Sequence, residues 1–409
     1  MFQPTKKLPF NEFVALMALM IALTAVSIDG MLPALPEIGR ELGAKQANDS
    51  QLVLSWFFIG MAVGQLFYGP VSDSIGRKPT IYFGLGVFML GCILSIVATS
   101  FPMILMARAL QGLGAAGPRS VAVAVVRDQF AGRMMARVMS FIMSIFILIP
   151  IVAPAIGQGI LLFAGWRVIF GFFLMLALIV FAWFGLRQPE TLLPEQRIKF
   201  STKRILAAFR EVLTNRIALG FTVASGLFSG AFLGYLNSAQ AVFQDQYGLG
   251  TRFPLVFAVV SIASGIASYL NARLVVRYGM RKLSTVANTS LAILSILYFA
   301  YSYFMQGNPP LGTLIAYLLA NFFVVGIMFG NLNSMAMEPL GHIAGVGSAV
   351  VGSLASFISI PIGAWIGRGF NGTILPLIGG FAVLCVLTIF VMRWADAGKQ
   401  PPIASANPT

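Results

Sequence analysis

Twelve runs of about 20 apolar residues, separated by short polar breaks, constrain this chain more than any other feature. They lie at 13–33, 51–71, 80–98, 103–126, 138–162, 168–186, 217–240, 253–272, 283–303, 311–335, 346–366 and 374–392. Runs of that length cross a bilayer as helices, because lipid offers nothing to satisfy an open backbone N–H or C=O. Of 409 residues 58% are hydrophobic and 10% charged, against about 25% charged in a soluble domain. The expected fold is an all-α integral membrane protein with twelve transmembrane helices. The first run follows Lys6 and Lys7, is full length and ends in "LPALPEIGREL", so it reads as a retained helix and not as a cleaved signal.

A net charge of +14 would suggest nucleic acid in a soluble protein, but its distribution has another cause. Twenty of the 27 Lys and Arg fall in the termini and the even-numbered gaps, and five (Arg40, Lys45, Arg167, Arg252, Arg368) in the odd-numbered gaps. The positive-inside rule then puts both termini and the even gaps in the cytoplasm. No nucleic-acid partner is expected; the lipid bilayer is.

The longest break, Arg187 to Arg216, separates six spans from six and predicts an N-terminal bundle at 1–187, a cytoplasmic linker at 188–216, and a C-terminal bundle with its tail at 217–409. Within the linker, Thr202 to Leu213 has the pattern of a basic amphipathic helix, either a surface helix on the anionic leaflet or a solvated connection. A repeat supports the division. "GPVSDSIGRKPT" (Gly69 to Thr80) has an echo in "ARLVVRYGMRKL" (Ala272 to Leu283) at an offset of about half the chain, which predicts two parallel six-helix repeats with a solute site between them.

Chemistry other than transport has little to stand on. Cys92 and Cys385 fall within spans near opposite ends of the chain, and His342 is the only histidine. Neither a disulfide framework nor metal-ligand spacing is present, so no metal and no cofactor are expected. A membrane enzyme would need a catalytic cluster that these residues do not form.

Three formal charges lie well inside spans: Asp29 in the first, Arg108 and Arg119 in the fourth. Intramembrane charges face a cavity or a partner and are functional candidates by default. At 1.5 Å per residue Asp29 lies about 24 Å from the cytoplasmic end and Arg108 about 8 Å from the outer end, so the two share a depth and an Asp29–Arg108 pair is the simplest arrangement. Arg119 lies about 16 Å deeper on almost the same face. Of the three only the carboxylate can change charge as its surroundings alternate between wet and dry. Asp29 is therefore the candidate proton carrier, with Arg108 and Arg119 as cavity charges and coupling partners; the alternative is a permanently ionised pair that fixes packing. The three sum to +1 or +2, which disfavours strongly cationic solutes. Gln111, Asn237, Gln240, Asn321 and Asn331 are candidate substrate-cavity residues, each equally readable as interhelical hydrogen-bonding glue.

"GPVSDSIGRKPT" resembles the cytoplasmic signature of the major facilitator superfamily. Gly69 and Gly76 permit a tight turn, Asp73 can attract a neighbouring helix N-terminus, Arg77 and Lys78 hold the cytoplasmic side, and Asp128 of "VVRDQF" is placed to join Asp73 and Arg77. The second copy carries Val276 where the acid stands. Further segments resemble the twelve-span drug:proton antiporters, and within them the bicyclomycin/chloramphenicol resistance group: the Arg108, Gln111, Gly112 spacing of "MARALQGLGAAGPRSVAVAVVRD", the span-5 stretch "IPIVAPAIGQGI" with Pro150, Pro154 and Gly157, and "MEPLGHIAGVGSAVVGS" after span 10. Span 5 departs from the antiporter pattern at Ala153 and Gln158. Its prolines and glycines can bend the helix and let another approach, and the resemblance implies the alternative that this helix shapes the antiport cycle.

The resemblance implies a major facilitator fold, a latch between the halves at Gly69, Asp73, Gly76, Arg77, Lys78 and Asp128, and export of small amphipathic drugs in exchange for protons from the inner (plasma) membrane by a monomer. Neutral or zwitterionic substrates fit the cavity charge best. A transporter of an endogenous anionic metabolite is the alternative, since Arg108 and Arg119 could hold a carboxylate or phosphate.

Overall fold

The structure, a computed structural model, describes residues 8–397; Lys6, Lys7 and the C-terminal tail lie outside the described residues. The chain forms helices α1 (Phe10–Asp29), α2 (Leu35–Glu41), α3 (Leu52–Ile75), α4 (Arg77–Ile96), α5 (Phe101–Gln129), α6 (Gly132–Phe163), α7 (Arg167–Arg187), α8 (Thr202–Thr214), α9 (Arg216–Gln240), α10 (Phe253–Tyr278), α11 (Met280–Phe304), α12 (Leu311–Met337), α13 (Ala344–Arg368) and α14 (Leu375–Asp396). Eleven stretches among the described residues are long and apolar enough to cross a membrane, and one of them, Leu311–Arg368, runs for 58 residues. That is twice the length one crossing needs. It holds two spans, α12 and α13, separated where Leu340 leaves helical geometry (φ −103°, ψ 18°).

The first span ends earlier than its apolar run. Gly30 caps α1 directly after Asp29, and Pro33, which lacks an N–H, starts a 3₁₀ turn at Leu32–Ala34 that leads into α2. Asp29 is thereby the last residue of a continuous helix. The linker's amphipathic stretch is the helix α8, and Ala208 and Val212 seat it against α9 and α13.

Packing repeats with a shift of six spans. In the first set α1 packs on α5, α6 and α7, while α4 packs on α5 and α7 and α3 on α5; in the second, α9 packs on α12, α13 and α14, while α11 packs on α12 and α14 and α10 on α12. Each contact of one set has its counterpart in the other. The sets meet at α3 against α13 and α6 against α10, contacts that a two-fold exchange of the sets would interconvert.

Glycine sets the closest approaches. A Cβ on Gly60 would lie 1.8 Å from the Ala109 carbonyl oxygen, and one on Gly112 would lie 1.9 Å from that of Phe57. So α3 and α5 cross backbone on backbone, as small residues permit in membrane bundles, and the glycine of the Arg108–Gln111–Gly112 spacing has a packing cause.

Candidate functional site

Arg108 is fully buried, and its guanidinium is spent on the protein. Its Nε donates to the Val53 carbonyl at 3.3 Å and Nη2 to that of Ser27 at 3.1 Å, while Nη1 donates to Gln111 Oε1. The group also lies 4.4 Å from the centre of the Phe57 ring and 5.7 Å from that of Phe170. Gln111 in turn donates to Cys92 Sγ at 3.0 Å. The expected ion pair with Asp29 does not form: Arg108 reaches the backbone two residues before it. The shared depth is right, but three acceptors and two ring faces surround the fork before the carboxylate does.

Asp29 is 6% exposed and has no hydrogen bond or ion pair among the described residues. Gly30, immediately after it, packs on α6: a Cβ on Gly157 would fall 1.8 Å from the Gly30 carbonyl oxygen. In the second set, Tyr235 of α9 is buried, and its hydroxyl has no hydrogen-bond partner among the described residues. Tyr235 sits in an aromatic group with Phe232, Phe257 and Phe322.

Arg119 faces open space. It lines a cavity of about 430 Å³ between α3, α5, α6 and α13 that includes Gln65, Asp73, Arg77, Arg127 and Ser348. The cavity runs to the end of the bundle that carries the Gly69 to Thr80 loop, the basic end. At the opposite, far end the two sets are joined. Arg368 pairs with Asp49 at 2.7 Å, Asn48 Nδ2 donates to the Arg368 and Phe370 carbonyls at 3.2 and 2.7 Å, and Asn237 Nδ2 to Ser55 Oγ at 3.4 Å. Ser353 Oγ also donates to the Ala62 carbonyl at 2.6 Å. Thus α3 and α13 are bound together toward the far end and part toward the basic end.

The basic-end loop forms a charge cluster. Arg77 binds Asp73, and its Nε reaches Asp128 Oδ2 at 2.9 Å; Gly76 makes the turn at φ +111°, which favours glycine. Lys78 Nζ donates to the Gly185 and Gln188 carbonyls, each at 2.9 Å. Sequence reasoning missed Glu190, which accepts the backbone N–H of Arg77 at 3.0 Å and of Lys78 at 2.9 Å, a carboxylate on the N-terminus of α4. Gly69 lies inside α3 and takes no part in the turn, and no neighbouring helix comes within 4 Å of a Cβ placed there. Among the described residues every ion pair of this cluster stays within the first set. In the second copy Arg281 pairs with Glu338 at 2.8 Å and Asp396 at 2.6 Å, so the echo carries its acids on other helices. His342 meets Glu211 of α8 at 2.9 Å.

The other polar candidates are bound to protein. Asn331 and Asn271 exchange hydrogen bonds at 3.0 and 3.1 Å, Asn321 donates to Tyr317 at 3.4 Å, and Gln240 to Gln244 at 3.1 Å. Pro150 and Pro154 lie inside α6. Among the described residues no group of His, Cys, Asp and Glu is placed to hold a metal.

A polytopic bundle of two six-span sets, with charged side chains and a cavity between them, is the architecture of a solute transporter. The sequence profile of the Major Facilitator Superfamily matches residues 17–364, and the chain belongs to that family. It is 29% identical over 345 residues to an uncharacterized MFS-type transporter, YdgK, of Bacillus subtilis, covering 83% of this chain and 84% of the relative. It is 27% identical over 385 residues to the bicyclomycin resistance protein homolog of Haemophilus influenzae, covering 93% and 96%. Its fold matches that of the xylose transporter XylE from E. coli, in a partially occluded inward open conformation, with a TM-score of 0.72 over 94% of this chain and 97% of the other at 13% identity. The chain is a transporter of this family, and the drug-resistance resemblance read from its motifs agrees with the names of its relatives.

Proposed function

We propose that the protein exports small amphipathic drugs in exchange for protons, that Asp29 carries the proton, and that the two six-span sets rock about a central site. The carrying observation is the isolation of Asp29, buried at the end of α1 without a counter-ion among the described residues. Burial without a counter-ion favours the neutral form of a carboxyl group, and contact with water favours the charged one. A group so placed takes up a proton where one face of the protein is wet and yields it where the other is.

In this reading the basic end is cytoplasmic and the present arrangement is inward-facing. The cavity beside Arg119 admits solute, and Asp49–Arg368 with Asn48 seals the outside. Asp73 and Arg77 of the charge cluster, now within one set, line the cavity opposite Gly345 and Ser348 of α13, with Asp128 bound to Arg77 behind them, where the cluster would latch the inner face when the far end opens. Arg108 is a packing residue that fixes α5 against α1 and α3. The name of the Haemophilus relative supports a drug as substrate. The test is proton movement on addition of a candidate drug to the purified, reconstituted protein; drug uptake against its gradient without proton flux overturns the antiport reading.

A further inference from the structure

Arg119 is the intramembrane charge whose guanidinium the fold leaves unspent. Its Nη1 lies 3.6 Å from the Met61 sulfur, a weak acceptor, and among the described residues no carboxylate meets it. Arg127, two to three turns along the same helix and lining the same cavity, also meets no carboxylate among them. The two remaining charged groups on the wall, Asp73 and Arg77, are bound to each other, and Arg77 to Asp128 as well. Arg119 and Arg127 thus contribute two positive charges, and Asp128 behind the wall leaves the whole group at +1. Charges at membrane depth are paired or face a water-filled path, and Arg119, unpaired among the described residues, faces the cavity, where an anion entering from the open end can reach it.

The walls describe the rest of that anion. Gln65 and Ser348 supply polar atoms on α3 and α13, while Ile21, Val123, Met143 and Phe146 give the same cavity an apolar side. A volume of about 430 Å³ suits a small organic molecule. A guanidinium fork matches a carboxylate with two parallel hydrogen bonds. We infer that Arg119 forms a carboxylate-binding subsite of the cavity and that the transported amphipaths carry an anionic end, which docks there with its apolar body against α1 and α6. Zwitterions qualify and simple cations do not. Resting on the export reading, this assigns the substrate class and separates the two arginines of α5, since Arg108 holds helices and Arg119 holds solute.

Binding to the purified full-length protein in nanodiscs tests the subsite without any gradient. Three probes of one shape and different charge serve: 2-naphthoate, 2-naphthamide and 2-naphthamidine. Naphthoate is expected to bind at least about tenfold more tightly than the amide, as a charge-assisted bidentate contact requires, with the amidine weakest. Arg119→Gln should bring naphthoate and naphthamide within about twofold of each other, and Arg119→Lys should keep part of the preference. Should Arg119→Gln not fold, Ser120→Cys reports the same site: naphthoate should shield it from a thiol reagent and naphthamide should not. Equal binding of acid and amide, no binding of any probe, an unchanged preference in Arg119→Gln, or full displacement of naphthoate by equimolar inorganic phosphate overturns the subsite. These outcomes leave proton exchange untouched, and loss of proton movement in vesicles would overturn the export reading without altering them.

Discussion

Gly157 of α6 lies so close to Gly30, the residue after Asp29, that a Cβ on Gly157 would stand 1.8 Å from the Gly30 carbonyl oxygen. The span-5 motif thus acts locally by seating the end of α1, and with it the carboxylate, against the neighbouring helix. Gly157→Ala should cost about 1–3 kcal/mol through overpacking and lower transport with it. Gly159→Ala, where no atom of a neighbouring helix lies within 4 Å of the new Cβ, should leave both unchanged. Thermal melting of the two purified variants checks this; equal melting would remove the contact as the reason for the glycine.

Arg108 should behave as a structural residue. Arg108→Ala leaves the Gln111 Oε1 without its donor and takes the guanidinium from the Ser27 and Val53 carbonyls in a dry site, a loss of about 3 kcal/mol or more. Arg108→Lys keeps the charge without the fork and should recover only part of it. Melting temperature and monodispersity are the readouts, and a stable Arg108→Ala protein that binds ligand but fails to couple would return Arg108 to a functional role.

Glu190 should anchor the linker to α4. Glu190→Ala strips an acceptor from the Arg77 and Lys78 N–H groups and a charge from a helix N-terminus, about 1–2 kcal/mol together. Hydrogen exchange at Arg77 and Lys78 should speed up about tenfold, and unchanged exchange would contradict the cap.

At the far end, Asp49 and Arg368 join the two sets. The pair is half-exposed on the arginine side, so its loss in Arg368→Ala should shift the sealed state by only a factor of about 2–5. Ser55→Cys, behind the seal, should react faster with a thiol reagent added from outside, and the charge swap Asp49→Arg with Arg368→Asp should slow it again. Absence of that rescue would mean that the pair does not hold the seal.

What was legible in the sequence followed from local rules. Span length and the clustering of Asp73, Arg77 and Asp128 rest on solvent and short-range geometry, whereas the helix break at Gly30, inside the apolar run of the first span, was not read from it. Contacts across long separations were not legible: nothing near Asp49 or Arg368 signals that two gaps 319 residues apart meet. The Asp29–Arg108 pairing erred because depth fixes which residues share a layer but not which acceptors reach a guanidinium first. Asn331 is bonded to Asn271 of a neighbouring helix and Asn321 to Tyr317 one turn back on its own, options that their sequence positions left open, since an amide serves a ligand or a helix with the same atoms. Glu190 had a signal, a carboxylate soon after span 6, but its target is the backbone of α4 and no side-chain pattern marks that.

Asp29 is proposed to carry the coupling proton. Asp29→Asn keeps the shape and polarity of the side chain and removes only its ability to ionise. In vesicles with an imposed proton gradient, the variant should fold and bind substrate but show no uphill transport, while still exchanging substrate at equal concentrations. Uphill transport by Asp29→Asn at the wild-type rate would contradict the account.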